Sequence, residues 1–225
     1  MNELLFTDIK ISFLRVLSTL SISMLLGIIF GYFLYINQIA LHKNDKKSQN
    51  HLFPIIIKVF SNMLINFVNS ACRFLKNISP FAWLPLIIML SGIGETAVFY
   101  TLLISMSTSA MLLCKNTYDK TNKDILAEAK CAGSNGFKHF VLIILPLSTP
   151  GLIGCFRILW SIGWQTLIAA EMLGVSSGLG YRLLDFRFLY KYKEMLLYIA
   201  IIGVIGWIFD LILEYIELRV YNKYF

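Results

Sequence analysis

The chain has 225 residues, of which 57% are hydrophobic and 15% charged, and its mean hydropathy is +0.70. Soluble domains run at about 45–50% apolar and roughly 25% charged. The 33 charged residues (20 basic plus 13 acidic) are therefore too few to coat a soluble surface, and the chain is read as a membrane protein. Its formal net charge of +7 is that of a membrane chain with basic cytoplasmic loops and does not imply nucleic acid.

Five stretches lack any Asp, Glu, Lys or Arg: Val16–Ile36, Asn77–Gly94, Thr96–Cys114, Phe140–Phe156 and Met195–Phe209. About 20 residues at 1.5 Å each cross a hydrocarbon core, and the flanks lengthen these windows. Nothing alternates with the two-residue period of a barrel, so a helical bundle is expected. The first stretch is long, lacks a small-residue cleavage site and follows Glu3 and Asp8. It is expected to be a retained span and not a signal peptide. Within it, Gly27-x-x-x-Gly31 permits close helix packing.

A polar loop, His42 to His51, follows. Lys58, Asn62, Asn66, Asn69, Arg73 and Lys76 then recur at steps of three and four, one polar stripe on a helix. Residues 54–75 are read as an amphipathic helix, either on the cytoplasmic surface or as a sixth span whose end near Arg73 and Lys76 lines a polar path. Asn77–Gly94 contains Pro80 and Pro85, each expected to bend its helix, and Gly92-Ile93-Gly94 turns the chain into the next span.

Lys115 to Lys138 carries five lysines and is expected to leave the membrane on the cytoplasmic side. Residues 37–53 and the C-terminal tail then share that side, with three and two basic residues, and the N-terminus lies outside with Lys10. Four more basic residues in 181–194 also fall outside, so the charge bias is incomplete. Phe140 opens an apolar run to Gly174, interrupted by Arg157 and Glu171, before a Ser/Gly turn at residues 176–180. Glu171 and Arg157 share a helix face but lie about 21 Å apart on a straight helix. Arg182 or Arg187, across the turn, is the expected partner of Glu171. Either a structural ion pair or contact with a solute would account for this intramembrane carboxylate. The four tryptophans, Trp83, Trp160, Trp164 and Trp207, fit interfacial anchors.

Cys72, Cys114, Cys131 and Cys155 show no C-x-x-C spacing and read as free thiols. His42, His51 and His139 are too scattered for a metal site. No phosphate-cradling G-x-x-x-x-G-K-[ST] occurs, and neither H-E-x-x-H nor G-x-S-x-G is present. No bound cofactor and no enzymatic activity are expected of this chain.

The most informative segment is Ala127-Glu128-Ala129-Lys130-Cys131-Ala132-Gly133, followed by Leu145-Pro146. It reads as a short helix of small residues on a basic loop, stopped by Gly133. The segment resembles the E-A-A-x-x-x-G…L-P loop of permease subunits of ATP-binding-cassette (ABC) importers. It departs in one respect: the family's Glu falls on Ala127, and the Glu here comes one residue later, which turns its side chain by about 100°. Ser79-Pro80-Phe81-Ala82-Trp83-Leu84-Pro85-Leu86 with Gly92-Ile93-Gly94-Glu95 is similar to a run in the nitrate/sulfonate/taurine-type permeases. So are Ala169-Ala170-Glu171-Met172-Leu173-Gly174 with Ser176–Tyr181, and Asp185 with Arg187. The likeness covers roughly residues 11–219.

The resemblance implies an all-α membrane protein, a type I ABC importer permease bundle of five core helices plus the extra amphipathic one. Residues 1–225 would form a single permease domain in the cell membrane. It implies a homodimer with the path between two copies, a cytoplasmic ATPase dimer that binds ATP, and an extracytoplasmic binding protein. The loop at about 115–140 would couple to the ATPase through Ala127, Glu128, Ala129, Gly133 and Pro146. Lys76, Pro80, Pro85, Glu171 and Gly174 are candidates for the path or its gate. The implied solute is small: a sulfonate, taurine, nitrate, bicarbonate or a vitamin precursor. The competing reading is a secondary transporter or channel without an ATPase partner, although no internal repeat is found.

Overall fold

A computed structural model describes residues 2–44, 52–121, 125, 128 and 136–224, all helix or short connection and without a strand. The helices are α1 (Asn2–Asn44), α2 (Leu52–Asn77), α3 (Pro80–Ser91), α4 (Glu95–Lys120), α5 (Leu145–Gly174), α6 (Leu179–Phe188) and α7 (Tyr192–Tyr224). A single helical turn, Gly136–His139, and a wide turn, Phe140–Ile144, lead into α5. Four stretches are long and apolar enough to cross a membrane: Leu4–Asn37, Glu95–Lys120, Phe140–Gly174 and Tyr192–Asn222.

A fifth crossing would need the ends of α2 and α3 together, which are bent by 98°. Asn77–Gly94 is therefore not a single continuous span. The residue before a proline is pushed out of the α region, and Ser79 is extended (φ −58°, ψ 135°). Pro80 thus breaks the helix and opens the next one, while Pro85 is accommodated inside α3. Helix α2 covers the expected amphipathic segment. Helix α4 continues five residues beyond Lys115, whose side chain is buried, so the chain leaves this helix later than its lysines suggest.

Close approach at small residues fixes the packing registers. A Cβ at Gly27 would lie 2.6 Å from the Ala110 Cβ, and one at Gly31 would lie 2.9 Å from the Cys114 Cβ. Both numbers rise together, so α1 and α4 run parallel, and the expected packing role of this glycine pair is seen. Helix α5 runs the opposite way along α4, with Gly151 against Thr117, Gly163 against Met106 and Gly174 against Val98. Helix α7 is antiparallel to α5, with Gly206 on Trp164 and Gly154 on Glu217.

The core between these four helices contains Val16, Leu20, Leu102, Met106, Leu159 and Leu167. Trp160 stacks on Trp164 at 5.4 Å, and the Trp164 indole N–H donates to the Ile202 carbonyl at 3.2 Å. Both rings are buried, so they are core residues and not interfacial anchors; Trp207 alone among the four is exposed. At the start of α5, the Leu145 N–H donates to the Phe140 carbonyl five residues back. Pro146 has no N–H to offer the ordinary ladder, and the widened turn absorbs that loss.

Candidate functional site: a buried clasp and a charged helix face

Asp8, Ser12 and Arg15 lie four and three residues apart, on one face of α1. That face meets the end of α5 and the turn into α6. Glu171 has no exposed surface. Its carboxylate accepts from the Ser12 hydroxyl (2.8 and 2.9 Å), the Arg15 guanidinium (2.6 Å) and the Gly180 N–H (2.9 Å). A buried carboxylate is tolerable only with such partners. It also sits at the N-terminus of α6, where unpaired N–H groups favour an anion.

Arg15 fastens two further elements. It donates to the Ser177 carbonyl at 2.9 Å and the Ser177 hydroxyl at 2.8 Å, and it forms a two-pronged ion pair with Glu95 at the start of α4. The Ser12 hydroxyl in turn accepts from the Leu179 N–H at 3.0 Å. Gly178 (φ +106°) completes the clasp, because a Cβ there would lie 2.5 Å from a Glu171 carboxylate oxygen. Only glycine satisfies both the backbone and the space.

Glu171 therefore pairs with Arg15, not with Arg182 or Arg187. The turn brings the α6 N–H groups over Glu171 and carries Arg182 on to Asp8, 3.1 Å away, while Arg187 is exposed. The hydrogen bond to Asp8 raises the Arg182 pKa above its ordinary range, so that guanidinium stays charged. The missed signal was the Asp8, Ser12, Arg15 spacing just before the first charge-free stretch.

The other candidates are dispersed. Gly174 is buried at the end of α5, and Lys76 is exposed in the last turn of α2. Pro80 is half-buried and Pro85 exposed on α3. None of these four is among the hydrogen-bond partners of the Glu171 carboxylate. Ala127, Ala129 and Gly133 lie outside the described residues. Glu128 is helical and exposed, and Pro146 is exposed in the first turn of α5. Beside this end of the bundle is a cavity of about 810 Å³, bordered by Lys120, Thr121, Ser148, Pro150 and Tyr221.

A second charged group, of which the sequence analysis singled out only Arg157, lies on α5 and α7. Arg157 donates to both carboxylate oxygens of Asp210 (2.9 and 3.0 Å), to Glu214 (3.0 Å) and to Glu217 (3.4 Å). Steps of four and three place the three acids on one face of α7, a pattern legible in the sequence. Among the described residues no group of three or more His, Cys, Asp or Glu side chains is arranged to hold a metal ion.

The sequence profile of one family, the binding-protein-dependent transport system inner membrane component, matches residues 4–222. The chain belongs to this family. Membership makes it a membrane component of the transport-permease kind, and its four long apolar helices fit a chain that crosses the membrane several times. A protein of Methanocaldococcus jannaschii with the provisional name of ABC transporter permease is 29% identical over 163 residues, 70% of this chain and 60% of that one. The taurine transport system permease protein of Escherichia coli K12 is 25% identical over 144 residues, 64% and 52% of the two chains. The nitrate import permease protein of Leptolyngbya laminosa is 22% identical over 148 residues, covering 66% and 53%. The chain thus spans between half and two thirds of the length of these curated relatives.

The fold agrees end to end with that of solved structures. The inward-facing MetNI methionine ABC transporter contains a chain matched with a TM-score of 0.70 at 14% identity, covering 98% of this chain and 97% of that one. An amino acid ABC transporter crystallised with histidines gives 0.64 at 13% identity, covering 99% and 94%. The fold is that of a type I ABC importer permease.

Proposed function

We propose that this chain is the membrane-spanning subunit of an ATP-driven importer, moving a small solute delivered by a binding protein. The observation that carries the reading is the family match over residues 4–222, with a permease fold matched end to end. Two copies would form the path between them. A cytoplasmic ATPase dimer would grip the loop between α4 and α5, near residues 115–140, through Ala127, Glu128, Ala129, Gly133 and Pro146. Movement of that loop is passed on by α4 and α5, which pack along each other from Thr117/Gly151 to Val98/Gly174.

Far from the loop, the Glu171 clasp ties α1, α4, α5 and α6 together, so Glu171 and Gly174 hold the bundle's opposite end. Lys76, Pro80 and Pro85 border the bent α2–α3 pair, a place where a gate can hinge. The solute belongs to the small sulfonate, taurine, nitrate, bicarbonate or vitamin-precursor class.

Gly133→Ile tests the coupling. A bulky β-branched residue adds volume where two surfaces meet, and overpacking costs about 1–3 kcal/mol. That weakens assembly roughly 5- to 150-fold. The variant should insert in the membrane yet fail to co-purify with its ATPase partner or to stimulate it. Normal assembly and transport by this variant would overturn the coupling assignment.

A further inference from the structure

Arg157 is the eighteenth residue of the 35-residue apolar stretch Phe140–Gly174, and Asp210 the nineteenth of the 31 in Tyr192–Asn222. Both sit midway along their spans. Arg157, Ser161 and Gln165 follow at steps of four on α5, with Ser161 and Gln165 exposed. All three line a cavity of about 470 Å³ with Asp210, and Ser161, Gln165 and Asp210 also line one of about 310 Å³ with Trp160, Trp164 and Trp207.

Three surroundings are conceivable for such a face. Lipid is excluded by cost, because ionised side chains at mid-depth face a bundle interior or water. Tight packing against the same face of a second copy is disfavoured by charge. Each copy brings three carboxylates and one guanidinium, so two copies would press six acids against two arginines, and like charges in contact are costly. Water remains. Because both carboxylate oxygens of Asp210 engage Arg157, with Glu214 and Glu217 beside them, the cation is already saturated, and these four side chains carry a formal net charge of −2. Indole rings beside a negative wall attract a cation through their π faces.

We propose that the α5–α7 face around Arg157 and Asp210 is a wetted wall of the solute path that accepts a positively charged organic group, of the ammonium kind. The carboxylates and the tryptophans would share that group, and Ser161 and Gln165 would hydrogen-bond the rest of the solute. This rests on the permease reading, and within the solute class named there it favours members bearing an ammonium or amino group over nitrate or bicarbonate.

The test needs no knowledge of the solute. In a variant of the full chain lacking its native cysteines, Ser161→Cys is exposed to two methanethiosulfonates, one carrying trimethylammonium and the other sulfonate. Rates are normalised to those of a small free thiol. The cationic reagent should win by roughly fivefold or more, the effect of one unit charge about 4 Å away in water. Adding Glu214→Gln and Glu217→Gln should bring the ratio towards one. Gln165→Cys repeats the measurement should the first variant fold poorly. Lack of reaction with either reagent would mean a covered face and would overturn the proposal, as would equal rates or an advantage for the anion. Co-purification of the same cysteine variants with the ATPase reports separately on the permease reading.

Discussion

Arg15 and Glu171 stand 156 residues apart in the chain and meet at 2.6 Å at one end of the bundle. Through that pair the first helix holds the end of α5, the turn after it and the start of α4. Removing one partner of a buried ion pair typically costs about 3–5 kcal/mol. Glu171→Ala should therefore lower the unfolding temperature of the purified protein strongly. The double variant Arg15→Met/Glu171→Leu should lose less than the two single losses added together. Strict additivity would show that the two residues are not coupled.

Gly178 is confined both by its backbone and by the carboxylate facing it. Gly178→Ala should cost about 1–3 kcal/mol from the backbone alone, with the 2.5 Å approach to Glu171 added to it. Gly92 also has positive φ (+79°), but no atom lies within 4 Å of its Cβ position. Gly92→Ala should consequently cost only the backbone part, about 1–2 kcal/mol. Hydrogen exchange at the Leu179 and Gly180 amides should rise in the first variant and not in the second.

Contact between α1 and α4 depends on Gly27. With a Cβ at 2.6 Å from that of Ala110, Gly27→Ile must push the helices apart, at about 1–3 kcal/mol. Gly203→Ala, on α7, meets nothing within 4 Å and should be near neutral. Ala110→Gly should recover part of the stability lost by Gly27→Ala, because it removes the opposing methyl. Thermal unfolding in detergent reads all three comparisons.

Sidedness follows from the lysines at residues 115–138. A cysteine placed at Asn122 should resist a membrane-impermeant thiol reagent in intact cells and react once the membrane is permeabilised. Labelling in intact cells would reverse the orientation and remove the ATPase-docking role proposed for the loop.

Membrane class, helical architecture and the family could be read from the sequence alone. Apolar run length and the absence of charge are local properties, and lipid demands a helix of any stretch that satisfies them. The Gly27/Gly31 pair was legible for the same reason. Pair partners were not legible, since an ion pair depends on where remote faces meet. Glu171 had two arginines in the sixteen residues that follow it, yet it took Arg15 from the first helix, because the Gly178 turn sends Arg182 towards Asp8. Likewise, Trp160 and Trp164 carry the composition of interfacial anchors, and only the crossing of α5 with α7 makes them core. The break at Ser79–Pro80 was written in the dipeptide, but its 98° size was set by how α2 and α3 pack on α4. Local chemistry decides what each segment is; which charges and rings face one another is decided by the packing of the whole bundle.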